Sequence, residues 1–372
     1  MYRRKFLKSI FAGGLVIGTG ALVSACKGIT RNDLQPHGDS PKNIPGLGKT
    51  DAAILHHASL APSGHNSQPW FVKVVEPKNW IIGIDPRHRL PVVDPKNREA
   101  LLSIGAFIEN LSIAAGAMGF QARTKVIANT PMDEEIVKVS LKKGKPTDYP
   151  LERIIARRTI RGGYLPSEIN SKDVDALSEP LKDRLVYFPR GTEHAQCIQE
   201  GAIENFRIQS YRAQAQKELS QWMQLKNADA KRHRSGLTTE SMEISGFAGW
   251  YVRTFLDKED VMKDSFIQKG IDKAAGQAAE GGGWFTITSK GEDVAELIDT
   301  GRRFERMALK AREHKIGIHP MTQFLEERQG RDAIAKNHEE SIIPQFILRV
   351  GYLSNYPDPV SLRRPVSWFI ST

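Results

Sequence analysis

The sequence predicts an α+β protein assembled from two related halves, and three observations carry that expectation. Leu101, Ile104, Ile108, Leu111, Ala115 and Met118 recur at alternating spacings of three and four. That period lays one apolar stripe along a helix, which Gly116 and Gly119 bring to its end. Short apolar runs at 71–75, 80–84, 281–289 and 345–352 read as strands. Gly105, Glu109 and Ala115 then reappear as Gly301, Glu305 and Ala311, all offset by 196 residues, in a segment 294–316 of similar plan. Duplication accounts for the offset, although two unrelated amphipathic helices would produce the same three identities.

With 372 residues the chain exceeds one ordinary core, which favours one large domain of two halves or two domains. The first residues, MYRRKFLK, precede an apolar stretch at 10–25 that is shorter than the roughly 20 residues a membrane-spanning helix needs. This is the pattern of an export signal. Arg3 and Arg4 followed by Phe6, Leu7 and Lys8 resemble a twin-arginine signal, whose machinery exports folded proteins. Val23, Ser24, Ala25 and Cys26 resemble a lipobox, with Cys26 as the lipidated residue; an ordinary cleavage site beside a chance cysteine is the alternative. Residues 26–50 hold Pro36, Gly38, Pro41, Pro45, Gly46 and Gly48 and read as a tether. The expected organisation is thus a signal at 1–25, the tether, a first half at 51–150 and a second at 151–372. Such a chain resides in the periplasm or cell envelope, with a possible lipid anchor.

The net charge of +10 includes four positive and no negative residues from 1–25, so the remainder carries +6. No Lys/Arg-rich run interleaves with aromatics, which argues against nucleic acid as a partner. Besides Cys26 the only cysteine is Cys197, so no intramolecular disulfide is expected if Cys26 is acylated. The string GLGKT at 46–50 lacks the first glycine of a phosphate loop, and no HExxH, GxSxG or paired-cysteine motif is present. The histidines are scattered; His56, His57 and His65 read as hydrogen-bonding groups, and none is assigned to catalysis.

The most distinctive run is APSGHNSQPW at 61–70. Ser63, His65, Asn66 and Gln68 stand between two prolines, which remove donors and fix φ, while glycine permits close backbone approach to a ligand. A second cluster, RRTIR, supplies Arg157, Arg158, Thr159 and Arg161. Planar guanidinium donors and a hydroxyl suit a phosphate, though a solvated basic face has the same composition. The loop closely resembles the flavin-facing loop of the nitroreductase family, FMN-dependent oxidoreductases, and RRTIR resembles that family's arginine-rich motif. IGIHPMTQF at 316–324 and LRRP at 362–365 resemble the family's segment beside flavin N5 and its carboxy-terminal basic residues. Together with the leader, the four motifs look most like the branch called the Acg-like FMN-binding oxidoreductases.

The resemblance implies a nitroreductase-like fold in which two fused halves form a pseudo-dimer. In the family two subunits build each site; here one chain would supply both sides, and the absence of a second loop or a second RRTIR implies one flavin. It also implies FMN as cofactor, held by Pro62, Ser63, Asn66, Gln68, Arg157, Arg158, Thr159, Arg161, Pro320, Met321, Thr322, Arg363 and Arg364. A backbone N–H of Met321 or Thr322 at N5 and Arg161 near the pyrimidine edge would stabilise reduced flavin. The implied activity is reduction of a nitroaromatic, quinone or similar small-molecule acceptor by an exported enzyme, with the twin-arginine machinery as partner. The stretch from Trp222 to Phe255, with Phe247, Trp250 and Tyr251, is read as core packing or as a lid. With a lid, the alternative is an FMN-binding or flavin-sequestering protein with no turnover.

Overall fold

The computed structural model describes residues 27–34, 47–337 and 343–371. The expectations for the export signal and for Cys26 therefore lie outside the described residues. Among the described residues eleven strands are defined: β1 (Trp70–Glu76), β2 (Asn79–Ile84), β3 (Phe120–Val126), β4 (Glu135–Lys143), β5 (Leu185–Pro189), β6 (Met223–Gln224), β7 (Leu237–Thr238), β8 (Gly283–Ser289), β9 (Ile316–Pro320), β10 (Ile343–Tyr352) and β11 (Ile370–Ser371). With the helices between them they form an α+β protein.

Duplication is visible in the topology. One sheet has the order β11-β1-β2-β4-β3 and the other β5-β8-β10-β9, so apart from β11 both follow the pattern first, second, fourth, third. Pairing of β1 to β4 and of β5, β8, β9 and β10 is antiparallel throughout. In each half a 20-residue helix joins the second strand to the third: Arg98–Ala117 and Val294–Glu313, whose ends are again 196 residues apart. Each helix is left through a left-handed residue at the same offset, Gly119 (φ 77) and Lys315 (φ 53). Three identities in sequence thus correspond to a repeated fold, and two fused halves form a pseudo-dimer.

The two central helices pack on each other, and the glycines Gly105 and Gly301 lie at their contact. A Cβ on Gly105 would meet the Gly301 backbone, and one on Gly301 would overlap the Leu102 carbonyl. The apolar stripe read from sequence is buried at Leu101, Ile104, Ile108, Leu111 and Ala115. The first helix is long and apolar enough to span a bilayer, yet most of it is buried in this core. Trp70, Trp80 and Phe107 fill the first half's core, which Leu297, Ile298, Val366 and Phe369 of the second half complete. The second core gathers Phe285, Ile287, Phe304, Met307 and Leu348.

Two segments depart from the sequence reading. Residues 27–34 of the expected tether pack on the body, with a short helix at Arg31–Leu34, and its stretch 35–46 lies outside the described residues. At the other end the chain returns to the first half, where β11 pairs parallel with β1 through Val72–Ile370 and Lys73–Ser371. That return carries Arg363 and Arg364 onto the loop before β1.

Because Gly301 faces backbone, Gly301→Val should lower unfolding free energy by about 3 kcal/mol, since neither helix can move without disturbing both cores. A urea midpoint equal to that of the wild type would show that the helices do not approach so closely.

Candidate functional site

Loop 61–70 leads from the helix Lys49–Ala58 to β1 and contains three non-glycine residues at positive φ: His65 (49°), Asn66 (52°) and Gln68 (55°). Such backbone persists only where its surroundings over-determine it. Here two buried arginines do so. Arg363 donates to the Leu60 and Ala61 carbonyls, both at 3.1 Å, and to Asn66 Oδ1 at 2.9 Å. Arg364 donates to the Gln68 and Trp70 carbonyls and, at 3.0 Å, to His88 Nε2, while its own N–H donates to Gln68 Oε1 at 2.9 Å. Burial lowers both guanidinium pKa values, that of Arg364 to about 10.

Asn66, Gln68, Arg363 and Arg364 are therefore brought together, but onto one another. In this arrangement they shape the loop through one another, and all four are buried. Pro62 and Ser63 stay partly exposed, with Ser63 Oγ accepting from the Gln68 N–H at 3.0 Å.

RRTIR lies opposite. Arg157, Arg158, Thr159 and Pro320 line one narrow cleft, with free room of about 10 Å³, together with Phe304, Ala308, Ile318 and Tyr356. Arg157 is buried, and its Nε lies 3.4 Å from Glu305 Oε1. Arg158 donates to Glu243 at 2.8 Å and to the Asp358 carbonyl at 2.7 Å. Arg161 donates from its backbone N–H to Glu243 Oε1 at 3.1 Å, from Nε to the Ser241 carbonyl at 3.1 Å, and from Nη1 to His319 Nε2 at 2.8 Å. Burial, with Arg161 and Arg349 alongside, pushes His319 well below the usual imidazole range. Half-buried His65 is also lowered by desolvation, Glu99 opposing the shift and Arg161 adding to it, which puts the loop and RRTIR within electrostatic reach.

On β9 and beyond, the expected residues separate by role. The Met321 N–H donates to the Ile347 carbonyl at 2.9 Å and its side chain is buried, so Met321 is corrected to a core position. Thr322 is left to face a ligand; its hydroxyl donates to Glu326 Oε1 at 2.9 Å. Glu326, which also accepts from Gln209 at 2.6 Å, is pushed well above the carboxylate range by burial and by Glu99. Asp94 is raised to about 7 by burial and by Glu99.

Sequence reasoning missed Glu99, Glu243, Glu305 and Glu326, because an isolated glutamate carries no signal of what faces it. It also missed how the stretch 234–243 is used. The Arg234 carbonyl accepts from Gln68 Nε2 at 2.9 Å, the Gly236 carbonyl accepts from Asn66 Nδ2 at 3.1 Å, and Gly236 N–H donates to the Asn66 carbonyl at 3.0 Å. With Ser241 and Glu243 on the arginines, this stretch spans loop and RRTIR. The helix that follows, Gly246–Phe255, exposes Phe247, Tyr251 and Phe255, so core packing does not explain those aromatics.

Among the described residues no cluster of His, Cys, Asp and Glu suits a metal. The chemistry available is that of guanidinium groups and a hydroxyl on a narrow cleft, near a polar loop held by buried arginines.

No known family's sequence profile matches the chain. Over most of its length it is similar to proteins named as nitroreductases. One is PigM of Serratia sp., a probable NAD(P)H nitroreductase, 23% identical over 315 residues that cover 80% of this chain and 86% of that protein. Another is acg of Mycobacterium tuberculosis, with a name of the same kind, 21% identical over 332 residues that cover 83% and 91%. Among solved structures, a nitroreductase-like protein of Bacillus cereus superposes on 61% of this chain and 97% of its own, with TM-score 0.35 and 10% identity. The FMN-dependent nitroreductase NfnB of Mycobacterium smegmatis, in complex with NADPH, gives 55%, 91%, 0.34 and 12%. These scores mark partial superpositions, and the reading below stands on residues.

His88 accepts from Arg364 at Nε2 and lies 2.7 Å from the Ser67 carbonyl at Nδ1, an arrangement that requires a neutral ring. Burial and Arg364 lower its pKa to about 4. The unfolded chain binds this proton near pH 6.5, so stability is full above that value and declines as pH falls toward about 4. His88→Gln should flatten this part of the stability profile in urea titrations; an unchanged slope between those pH values would exclude His88 as its source.

Proposed function

We propose that the protein is an FMN-dependent oxidoreductase of nitroreductase type, of the Acg-like branch, which reduces a nitroaromatic, quinone or similar flat acceptor. The observation that carries this reading is the convergence on one cleft of Arg157, Arg158 and Thr159 with Pro320, in a motif that the stretch 234–243 joins to the strained loop. Similarity to named nitroreductases along most of the chain supports it.

The residues fit the cofactor at its phosphate end. The fit is one of chemistry: the Arg157 guanidinium has a buried Nε without a hydrogen bond on this cleft. The free room there is about 10 Å³, that of a single water, so the walls must part to admit the phosphate and the ring. Bound flavin supplies two-electron chemistry at its N5. The chain's part is to hold it: Arg157, Arg158 and Thr159 on the phosphate, Pro62 and Ser63 along the ring, Arg161 near the pyrimidine edge, and Pro320 and Thr322 beside N5. Arg161 stays positive and opposes the negative charge of reduced flavin, while buried apolar walls exclude water.

A specific observation favours a second reading. The stretch 234–243 hydrogen-bonds to Asn66, Gln68, Arg158 and Arg161, the face a flat acceptor would approach. A covered flavin suits a binding or sequestering protein without turnover. Under either reading the leader is an export signal of twin-arginine type, with Cys26 carrying lipid, and the protein resides in the periplasm or cell envelope.

Purified exported protein should be yellow, with NADPH bleaching the flavin and a quinone restoring it; bleaching without acceptor turnover selects the sequestering reading, and a colourless protein that ignores added FMN ends both. Replacing Arg157 and Thr159 together with alanine should weaken FMN retention by roughly a hundredfold, given about 1.5–3 kcal/mol for a charge-assisted hydrogen bond. Unchanged retention in a folded variant would reject this phosphate site. If the cover limits turnover, Glu243→Gln should raise quinone reduction about tenfold by removing its charged grip on the two arginines. An equal rate in both proteins would show that the cover is not limiting.

A further inference from the structure

The segment 27–34 holds a buried cation. Arg31 is 4% exposed; its N–H donates to the Val360 carbonyl at 3.2 Å and its guanidinium donates to the Ile155 carbonyl, two residues before Arg157. The same segment meets the covering stretch, since Gly28 N–H donates to Glu240 Oε1 at 3.0 Å and Asn227 Nδ2 donates to the Lys27 carbonyl at 3.4 Å. A strap thus runs from the cover to the arginine motif.

The charge it adds is not balanced. Arg31, Arg157 and Arg363 are 4%, 7% and 3% exposed and lie within electrostatic reach of one another. The carboxylate among them is Glu305, fully buried between Arg157 and Arg363, with neither of its oxygens hydrogen-bonded. Glu109, the neighbouring acid, is already paired with Arg302 and Arg306. Three guanidinium groups against one carboxylate leave two positive charges in the interior, and the Nε atoms of Arg157 and Arg363 have no hydrogen-bond partner. A buried charge is costly unless paired, by several kcal/mol per ion even after relaxation. A phosphate monoester carries nearly the opposite charge, about −1.5 to −2 at neutral pH, on three acceptor oxygens. Arg157 and Thr159 give it access from the cleft.

We infer that Arg31 is the third cation of a phosphate-monoester pocket, brought to Arg157 and Arg363 by the strap 27–34, which closes the phosphate end of the cofactor site. The inference rests on the flavin reading for the identity of the phosphate, which free orthophosphate could equally supply. It makes the amino-terminal segment part of the binding site and joins phosphate occupancy to the stretch that covers the ring.

The test compares apo wild type with Arg31→Ala, measuring FMN and riboflavin affinity by flavin fluorescence and melting temperature with orthophosphate. Arg31→Ala should weaken FMN by at least about tenfold, as expected for losing one charge-assisted contact, and riboflavin by no more than about twofold. FMN affinity within about twofold of wild type overturns the inference and leaves the flavin reading intact. Equal losses for FMN and riboflavin overturn it too, because Arg31 would then act only by holding the fold. If wild type ignores FMN yet orthophosphate raises its melting temperature and not that of the variant, the pocket stands and the flavin reading falls; if it responds to neither, both fall. Should Arg31→Ala fail to fold, Arg31→Gln keeps a donor for Ile155 and is read by the same criteria.

Discussion

Everything else in this molecule depends on the close approach of two helix backbones at Gly105 and Gly301. Without side chains at that contact, the helices share one interior, and each half finishes the other's core. Leu297 and Ile298 enter the first core from the second helix, and the returning chain adds Val366 and Phe369. The halves consequently fold as one body. The same approach carries Glu109 and Glu305, equivalent in the repeat, into the interior, where each must meet arginines.

From that requirement the two acids have diverged. Glu109 is held by Arg302 and Arg306 of the facing helix, an acid fully engaged by its partners. Glu305 instead faces Arg157 and Arg363, which arrive from outside the repeat. One copy of the repeated acid is thus structural, and the other lies behind the cleft against Arg157. A duplicated chain can lose symmetry in this way because each half already has the other's support, so only one copy of a site needs to be kept.

The polar loop illustrates how much a side chain's role depends on its neighbours. Asn66 and Gln68 look like ligand-binding groups in sequence, as do Arg363 and Arg364. Folded, they satisfy one another and hold three residues at positive φ. Composition identified which residues belong together; it carried no information on whether they face a ligand or the loop's own backbone. Arg157, Arg158 and Thr159 of RRTIR share a cleft with Pro320, because strand β9 follows the second helix directly and leaves little freedom in where it can lie.

The sequence by itself determined the secondary pattern of both central helices, four of the strands and the offset of 196 residues, since amphipathic period and repeated spacing are local properties of the chain. It also marked the loop and RRTIR as the chemically unusual segments. Only the tertiary structure decided that Arg31 is buried, that the stretch 234–243 spans the site and that Met321 belongs to the core. Those outcomes depend on which groups meet across hundreds of residues, and burial is a property of the neighbours as much as of the residue. A lone arginine in a proline-rich segment has no period or motif to announce it, so its partners become visible only when the chain has closed around it.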